Sequence, residues 1–194
     1  MAELKELIVC FHNRIRWHMT HKSVGELLPS QRLGPITWDE QLSSLAIRIV
    51  NNCDYQTAHK CANTKNYPHV GQSLGELTNV TLPLPQAVMY IMKDWHFEYR
   101  YLQSGDIENL SSDAIDKSIN FLNIVHDKVN RVGCGIIYFE RDNIPHTLLA
   151  CLYNTDIKVG QKLYSIELAQ QKTIKAFVDE QCNLTSYYDS GILQ

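Results

Sequence analysis

Two apolar segments that each carry a cysteine constrain the fold of this chain more than any other feature. Residues 131–140 and 146–153 are rich in Val, Ile, Leu, Tyr and Phe, and the intervening residues 141–145 are turn-forming. Strands joined in this way pair antiparallel, which places Cys134 roughly opposite Cys151. The pattern predicts a hairpin closed by a disulfide between them, and two buried free thiols in a cytosolic core are the alternative.

Length and charge favour a single domain and exclude two classes of partner. The 194 residues contain no Gly/Ser-rich or Pro-rich linker. A net charge of −3, with Lys and Arg scattered along the chain, provides no basic field, so we expect no nucleic-acid partner. The longest apolar runs, 7–10 and 136–139, are far shorter than the roughly 20 residues of a membrane-spanning helix, which predicts no membrane span.

The cysteines and three Asn-x-Ser/Thr sequons indicate a secreted, extracellular protein. The sequons lie at Asn79, Asn109 and Asn183, each in a polar stretch where a glycan would not disturb packing. Sequons of this kind also occur by chance. Residues 1–20 lack the pattern of a signal peptide, and we therefore expect that a leader is absent from this chain.

Six cysteines allow complete pairing but leave most of the connectivity open. Cys53 and Cys61 flank a short loop and could bond each other, or one of them could hold down the tail through Cys182. Cys10 lies in a helical pattern and is the candidate free thiol.

Apolar periodicity predicts an α+β protein. Apolar residues recur at helical spacing over residues 4–19, 37–53, 85–101, 113–125 and 166–180. The second helix is expected to open with a capping box at 37–40, and residues 69–74 are expected to form a short strand. The order of these elements predicts helices that cover a small, mainly antiparallel sheet.

Short motifs follow one another along residues 4–164. They are His12-Asn13-Arg14-Ile15-Arg16, residues 36–42, Asn52-Cys53 with His59-Lys60-Cys61, residues 70–74, residues 95–99, and residues 132–135 with Cys151 and Tyr153. This series resembles the CAP superfamily of cysteine-rich secretory, antigen-five and pathogenesis-related proteins. The Gly71-Gln72 pair makes the chain most like the insect antigen-five, venom-allergen-like proteins. The resemblance implies a secreted α-β-α sandwich, with a CAP domain over 1–164 and an extension over 165–194 that Cys182 could tie down.

Many members of the family carry a cleft with two histidines and two glutamates, arranged as a divalent-metal site. The resemblance places His59, Gln72, Glu98 and Asn120 at these positions, so two of the four ligands are replaced by amides. Amides are weak, uncharged ligands, and His59 with Glu98 alone should hold a metal poorly. We therefore predict no tight zinc and no cofactor, and favour a polar cluster in which Glu98 accepts from His59, with Gln72 and Asn120 as amide partners.

No pattern along the chain supports catalysis. The Gly-x-Ser-x-Gly, His-Glu-x-x-His and His-x-x-Glu-His motifs are missing from the sequence. His69 is expected at the surface, and His126 is expected to be structural. We therefore predict a protein that is not an enzyme and has no catalytic residues.

Two kinds of binding function remain, and a metal-dependent hydrolase is a weaker third. The first is uptake of a small apolar ligand, such as a fatty acid, eicosanoid or sterol, in a groove between helices. The stripe of Val88, Ile91, Met92 and Trp95 could line such a groove, although stripes of this kind are more often core. The second is binding of a protein receptor in saliva, venom or reproductive fluid through loops 24–35 and 103–112. Ser104-Gly105-Asp106 in the latter loop lacks the arginine of an integrin-binding tripeptide.

Overall fold

The computed structural model describes residues 2–31, 33–52 and 62–166. The helices in these ranges are α1 (Ala2–His21), α2 (Glu40–Asn51), α3 (Leu84–Phe97) and α4 (Ser112–Val125), and two 3-10 turns cover Glu98–Tyr101 and Ser104–Ile107. The strands are β1 (Thr37–Trp38), β2 (Gly71–Thr78), β3 (Arg131–Arg141) and β4 (Ile144–Tyr153). They form one sheet in the order β1-β3-β4-β2, in which β1 runs parallel to β3 and the other pairs are antiparallel.

The β3–β4 hairpin that the sequence predicts is present. Asp142 and Asn143 form its two-residue turn, and both adopt positive φ angles, of 53° and 60°, which Asp and Asn tolerate better than most residues. Cys134 pairs with Cys151 in the register of the two strands. Their sulfurs are bonded, with the Cα atoms 4.1 Å apart, so the disulfide cross-links the two central strands of the sheet.

Alternation along β4 separates the two layers of helices. Leu148, Ala150 and Leu152 pack with α2 on one face of the sheet. Leu149, Cys151 and Tyr153 point to the other face and join the larger core formed by α1, α3 and α4. The α-β-α sandwich with a small, mainly antiparallel sheet is thereby confirmed.

Two glycines in β3 allow α2 to lie directly on the sheet. A Cβ atom on Gly133 would overlap the backbone of Ser43, and one on Gly135 would overlap the backbone of Ile47. The Ser43 hydroxyl also donates to the carbonyl oxygen of Cys134 across 2.9 Å. The Gly-Cys-Gly sequence therefore contacts both layers of helices. Its two glycines allow α2 to approach the sheet closely, and its cysteine side chain packs in the core on the opposite face.

The start of α2 differs from the sequence prediction. Thr37 and Trp38 do not open the helix, because their pairing with β3 keeps them extended as β1. Asp39 is the N-cap instead, and its Oδ1 accepts from the backbone N of Leu42 at 2.9 Å.

The bounds of one strand and one helix also differ from the sequence prediction. The predicted strand at 69–74 begins at Gly71 and continues to Thr78, because all eight residues pair with β4. The predicted third helix ends as an α-helix at Phe97 and continues as a 3-10 turn. The fifth helix expected over 166–180, together with Cys182, lies outside the described residues beyond position 166.

Cys10 is disulfide-bonded, so the expectation of a free thiol at this position is wrong. Its side chain is buried in α1. The predicted alternatives for Cys53, Cys61 and Cys182 concern residues that lie outside the described ranges.

Candidate functional site

Glu98 lies at the junction of α3 and the following 3-10 turn, opposite a break in α4. Ser118 has non-helical backbone angles, so the second half of α4 starts immediately after it. The Glu98 Oε2 atom accepts from the backbone N–H groups of Asn120 and Phe121, at 2.9 and 3.0 Å. Its carboxylate thus supplies, from another segment, the N-terminal cap of this half-helix.

The side chains around Glu98 complete a closed polar cluster. Asn120 Nδ2 donates to Glu98 Oε1 at 2.6 Å, and Asn120 Oδ1 accepts from the backbone N of Leu74 on β2 at 3.2 Å. Burial raises the pKa of the Glu98 carboxyl, and its hydrogen bonds with Asn120 and Phe121 oppose that shift. Both carboxylate oxygens are therefore already engaged by N–H donors.

The structure brings two of the four predicted cleft residues, Glu98 and Asn120, into contact. Gln72 lies half-buried on β2, and its carbonyl oxygen accepts from Nδ2 of Asn123 at 2.9 Å. His59 lies outside the described residues. Within the described ranges, no group of three or more His, Cys, Asp or Glu side chains is arranged to hold a metal ion.

The two further histidines occupy different environments. His69 is exposed. His126 is buried, with Nε2 2.5 Å from Nε2 of Gln161 and Nδ1 accepting from the backbone N of Lys128 at 3.2 Å.

Asp106 in loop 103–112 is turned into the protein. Its carboxylate accepts from the backbone N of Gln103 at 2.8 Å and from the Ser111 hydroxyl at 3.0 Å, and the side chain is buried. The Ser-Gly-Asp sequence is therefore part of a 3-10 turn rather than an acidic surface tip.

An apolar groove opens between α1, α3 and the sheet face that carries the disulfide. Its apolar side chains are Leu4, Ile8, Trp38, Val88, Ile136 and Leu149. Lys5 lines it as well, and the Cys134 side of the disulfide contributes to it. The groove is shallow, because its cavity volume is about 30 Å³, far below the roughly 300–1,000 Å³ of a closed small-molecule pocket. A ligand would therefore lie along an open groove rather than inside an enclosed cavity.

Sequence reasoning found only part of this groove. All four residues of the proposed stripe on α3 are buried in the core, and Val88 alone among them also lines the groove. Leu4 and Lys5 lie four and three residues before Ile8, so all three share one face of α1. This helical spacing is the sequence feature that could have indicated their part of the groove. The contribution of Trp38 could not be found, because it depends on β1 pairing with β3.

Residues 9–153 match the model of the cysteine-rich secretory protein family, CAP. The chain belongs to this family. Among CAP relatives, Tabinhibitin 4 of Tabanus yao is 28% identical over 135 residues, which cover 69% of this chain and 53% of that protein. Venom allergen 5 of Brachyponera chinensis is 29% identical over 157 residues, which cover 77% of this chain and 77% of that protein. The chain spans about half the length of the first tabinhibitins that it matches.

Solved CAP structures share the fold at low sequence identity. BmVAL-1 superposes with a TM-score of 0.73 at 19% identity, covering 94% of this chain and 89% of that one. Venom allergen-like protein 4 of Schistosoma mansoni gives a TM-score of 0.66 at 19% identity, covering 86% and 97%. These likenesses confirm the α-β-α architecture. In the described part of this CAP protein, the helices are too short or too polar to cross a membrane.

The capping role of Glu98 gives a first testable expectation. In Glu98→Gln, one carboxylate oxygen becomes an NH2 group that faces N–H donors, so at least one of the three hydrogen bonds is lost. We expect the free energy of unfolding to fall by about 1–3 kcal/mol, measured by urea denaturation. Glu26→Gln is the control, because Glu26 is exposed and should change stability little. Equal stability of both variants would contradict the capping role.

Proposed function

We propose that this chain is a secreted, non-enzymatic CAP-domain protein that binds a small apolar ligand, such as a fatty acid, eicosanoid or sterol. The groove between α1, α3 and the sheet is the observation that supports this proposal. Its lining combines aliphatic side chains from two helices and two strands with the ring of Trp38. An apolar molecule placed there would lose its contact with water against a preformed surface, which is the main driving force for such binding.

The polar cleft supports the non-enzymatic part of the proposal. We assign the family's cleft positions to His59, Gln72, Glu98 and Asn120. Because Glu98 accepts three N–H donors, it is a poor general base and a poor metal ligand. The cluster holds β2 and the 3-10 turn to α4, which is a structural task.

Secretion and modification complete the proposal. The Cys134–Cys151 disulfide fits an oxidising compartment. Asn79 and Asn109 are exposed, so both sequons are open to glycosylation, whereas Asn183 lies outside the described residues. Leu163 and Tyr164 are buried in the core, which supports ending the CAP domain near 164 and treating 165–194 as an extension.

Filling the groove tests the proposed function. Ile136 lines the groove, while its neighbour Ile137 points to the α2 face of the same strand. Ile136→Trp should weaken the binding of dodecanoic acid at least tenfold, and Ile137→Trp should leave it near the wild-type value. Calorimetric titration measures both affinities, and circular dichroism verifies that both variants fold. Equal weakening by both variants, or no binding by the wild type, would refute the groove as the ligand site.

A further inference from the structure

The rim of the apolar groove carries an ion pair that the proposed function does not use. Lys5 on α1 lines the groove, and its Nζ lies 2.5 Å from Oε1 of Glu40 at the start of α2. The same Nζ lies 5.7 Å from the centre of the Trp38 ring, which also lines the groove. A cation and an aromatic ring therefore stand together beside the apolar lining.

This part of the rim already favours a carboxylate. The Lys5 ammonium and the Trp38 indole hold the pKa of the Glu40 carboxyl below its usual value. The indole N–H of Trp38 is nevertheless buried without a hydrogen bond of normal geometry to any residue in the described ranges. Glu40 approaches this donor without satisfying it, so the donor remains available to a better placed acceptor.

The existing ion pair is easy to replace. The side chains of Lys5 and Glu40 are 42% and 75% exposed, and ion pairs with this much exposure contribute little to stability. A ligand carboxylate that displaced Glu40 would keep the charge-assisted hydrogen bond of Lys5 and leave Glu40 in water. Exchange of one carboxylate for the other therefore leaves no buried charge unpaired.

We propose that the groove selects anionic amphiphiles, whose chain lies among the apolar lining while their carboxylate replaces Glu40 at the Lys5 ammonium and the Trp38 N–H. This inference rests on the proposed function, because it assigns the ligand class of the same groove. A neutral alcohol of equal chain length makes the same apolar contacts but offers Lys5 no anion. Comparing acid with alcohol therefore isolates the head group from the groove.

The experiment measures the affinities of dodecanoic acid and dodecanol near neutral pH by tryptophan fluorescence. The wild type should bind the acid about five- to tenfold more tightly than the alcohol. Lys5→Met should bring this ratio close to one, and Glu40→Gln should raise it because the internal competitor is removed. Lys117→Met is the matched control, since it breaks an exposed ion pair with Asp113 on α4 and should keep the wild-type ratio.

The outcomes separate this inference from the proposed function. Equal binding of acid and alcohol by the wild type, or an acid preference that survives Lys5→Met, overturns the head-group assignment and leaves the groove function standing. Failure of both ligands to bind the wild type overturns the proposed function and this inference with it. A lower ratio in Glu40→Gln also contradicts the inference, because Glu40 would then assist rather than compete.

Discussion

Acidification from about pH 6.5 to about pH 4 is expected to unfold this protein. His12, His96 and His126 are buried, and burial lowers the pKa of each from 6.5 to about 4. Between these two values the unfolded chain binds protons that the folded chain excludes. The stabilisation is therefore fully present above pH 6.5 and is lost as the pH falls towards 4.

The expected effect is large because the three groups act together. Between pH 6.5 and pH 4 a shift of this size removes roughly 2–3 kcal/mol of stability per histidine, and about 8 kcal/mol for the three together. That sum is a large part of the 5–15 kcal/mol typical of a folded domain. Burial raises the pKa of the Glu98 carboxyl, which acts in the opposite direction, but one group does not offset three.

The surroundings of all three histidines disfavour the protonated imidazole. His12 Nδ1 lies 2.8 Å from the carbonyl oxygen of Ile8, and its Nε2 lies 2.9 Å from the Tyr153 hydroxyl, with the Arg16 cation nearby. His96 lies among the rings of three aromatic residues, Phe97, Tyr99 and Phe121. His126 is close to Asp127, which raises its pKa, but burial outweighs that attraction.

His96→Phe is the diagnostic variant for this transition. The Nδ1 atom of His96 is buried without a hydrogen-bond partner in the described ranges, so a phenyl ring replaces it among aromatic neighbours at little cost. Urea denaturation at several pH values should show about one proton fewer taken up on unfolding near pH 5. His69→Gln, at an exposed position, should match the wild type. A wild type that remains folded at pH 3, or a His96→Phe variant with an unchanged pH slope, would contradict the prediction.

The sequence predicted the layers of the fold better than it predicted the groove. Periodicity along the chain was sufficient for α1, α3, α4 and the hairpin, because each buries a face that its own residues define. β1 could not be predicted, since two residues carry no periodicity and their extended form depends on pairing with β3. The groove depends on the same long-range pairing, because Trp38 reaches it only from β1.

The residues that carried the family resemblance prove largely structural. Asn13 exchanges two hydrogen bonds with the backbone of Ile36, at 2.8 and 2.9 Å. His12 contacts Tyr153 on β4, and Arg16 reaches the end of α4. One turn of α1 thus joins three separate parts of the chain, which a motif alone does not reveal. The sequence could place these residues on a helix, but Ile36, Tyr153 and Ile124 are distant in sequence, and their contacts with this turn follow only from the fold.

Substitution of Arg16 by methionine is expected to cost about 3–5 kcal/mol of unfolding free energy. The Arg16 side chain is completely buried, and burial lowers the pKa of its guanidinium to about 9, so it is still charged at neutral pH. Its Nε donates to the carbonyl oxygen of Gly34 at 2.7 Å. Its Nη1 donates to the carbonyl oxygens of Ile124 and His126, at 2.8 and 2.9 Å, where α4 ends.

The cost arises from the carbonyl groups that methionine leaves without a donor. The last carbonyls of a helix have no partner within it, and a cation near this end also interacts favourably with the helix dipole. Methionine fills much of the volume but provides neither donor nor charge.

Arg16→Lys should also destabilise the protein by more than 1 kcal/mol, because a single ammonium lacks the planar fork that reaches both sides of this junction. Arg48→Met, on the exposed face of α2, is the matched control and should change stability by less than about 0.5 kcal/mol. Urea denaturation of the three variants separates the contribution of the Arg16 charge from that of its hydrogen bonds. If Arg16→Lys retains full stability, the charge alone holds α4, and the hydrogen bonds to Gly34, Ile124 and His126 do not stabilise the protein.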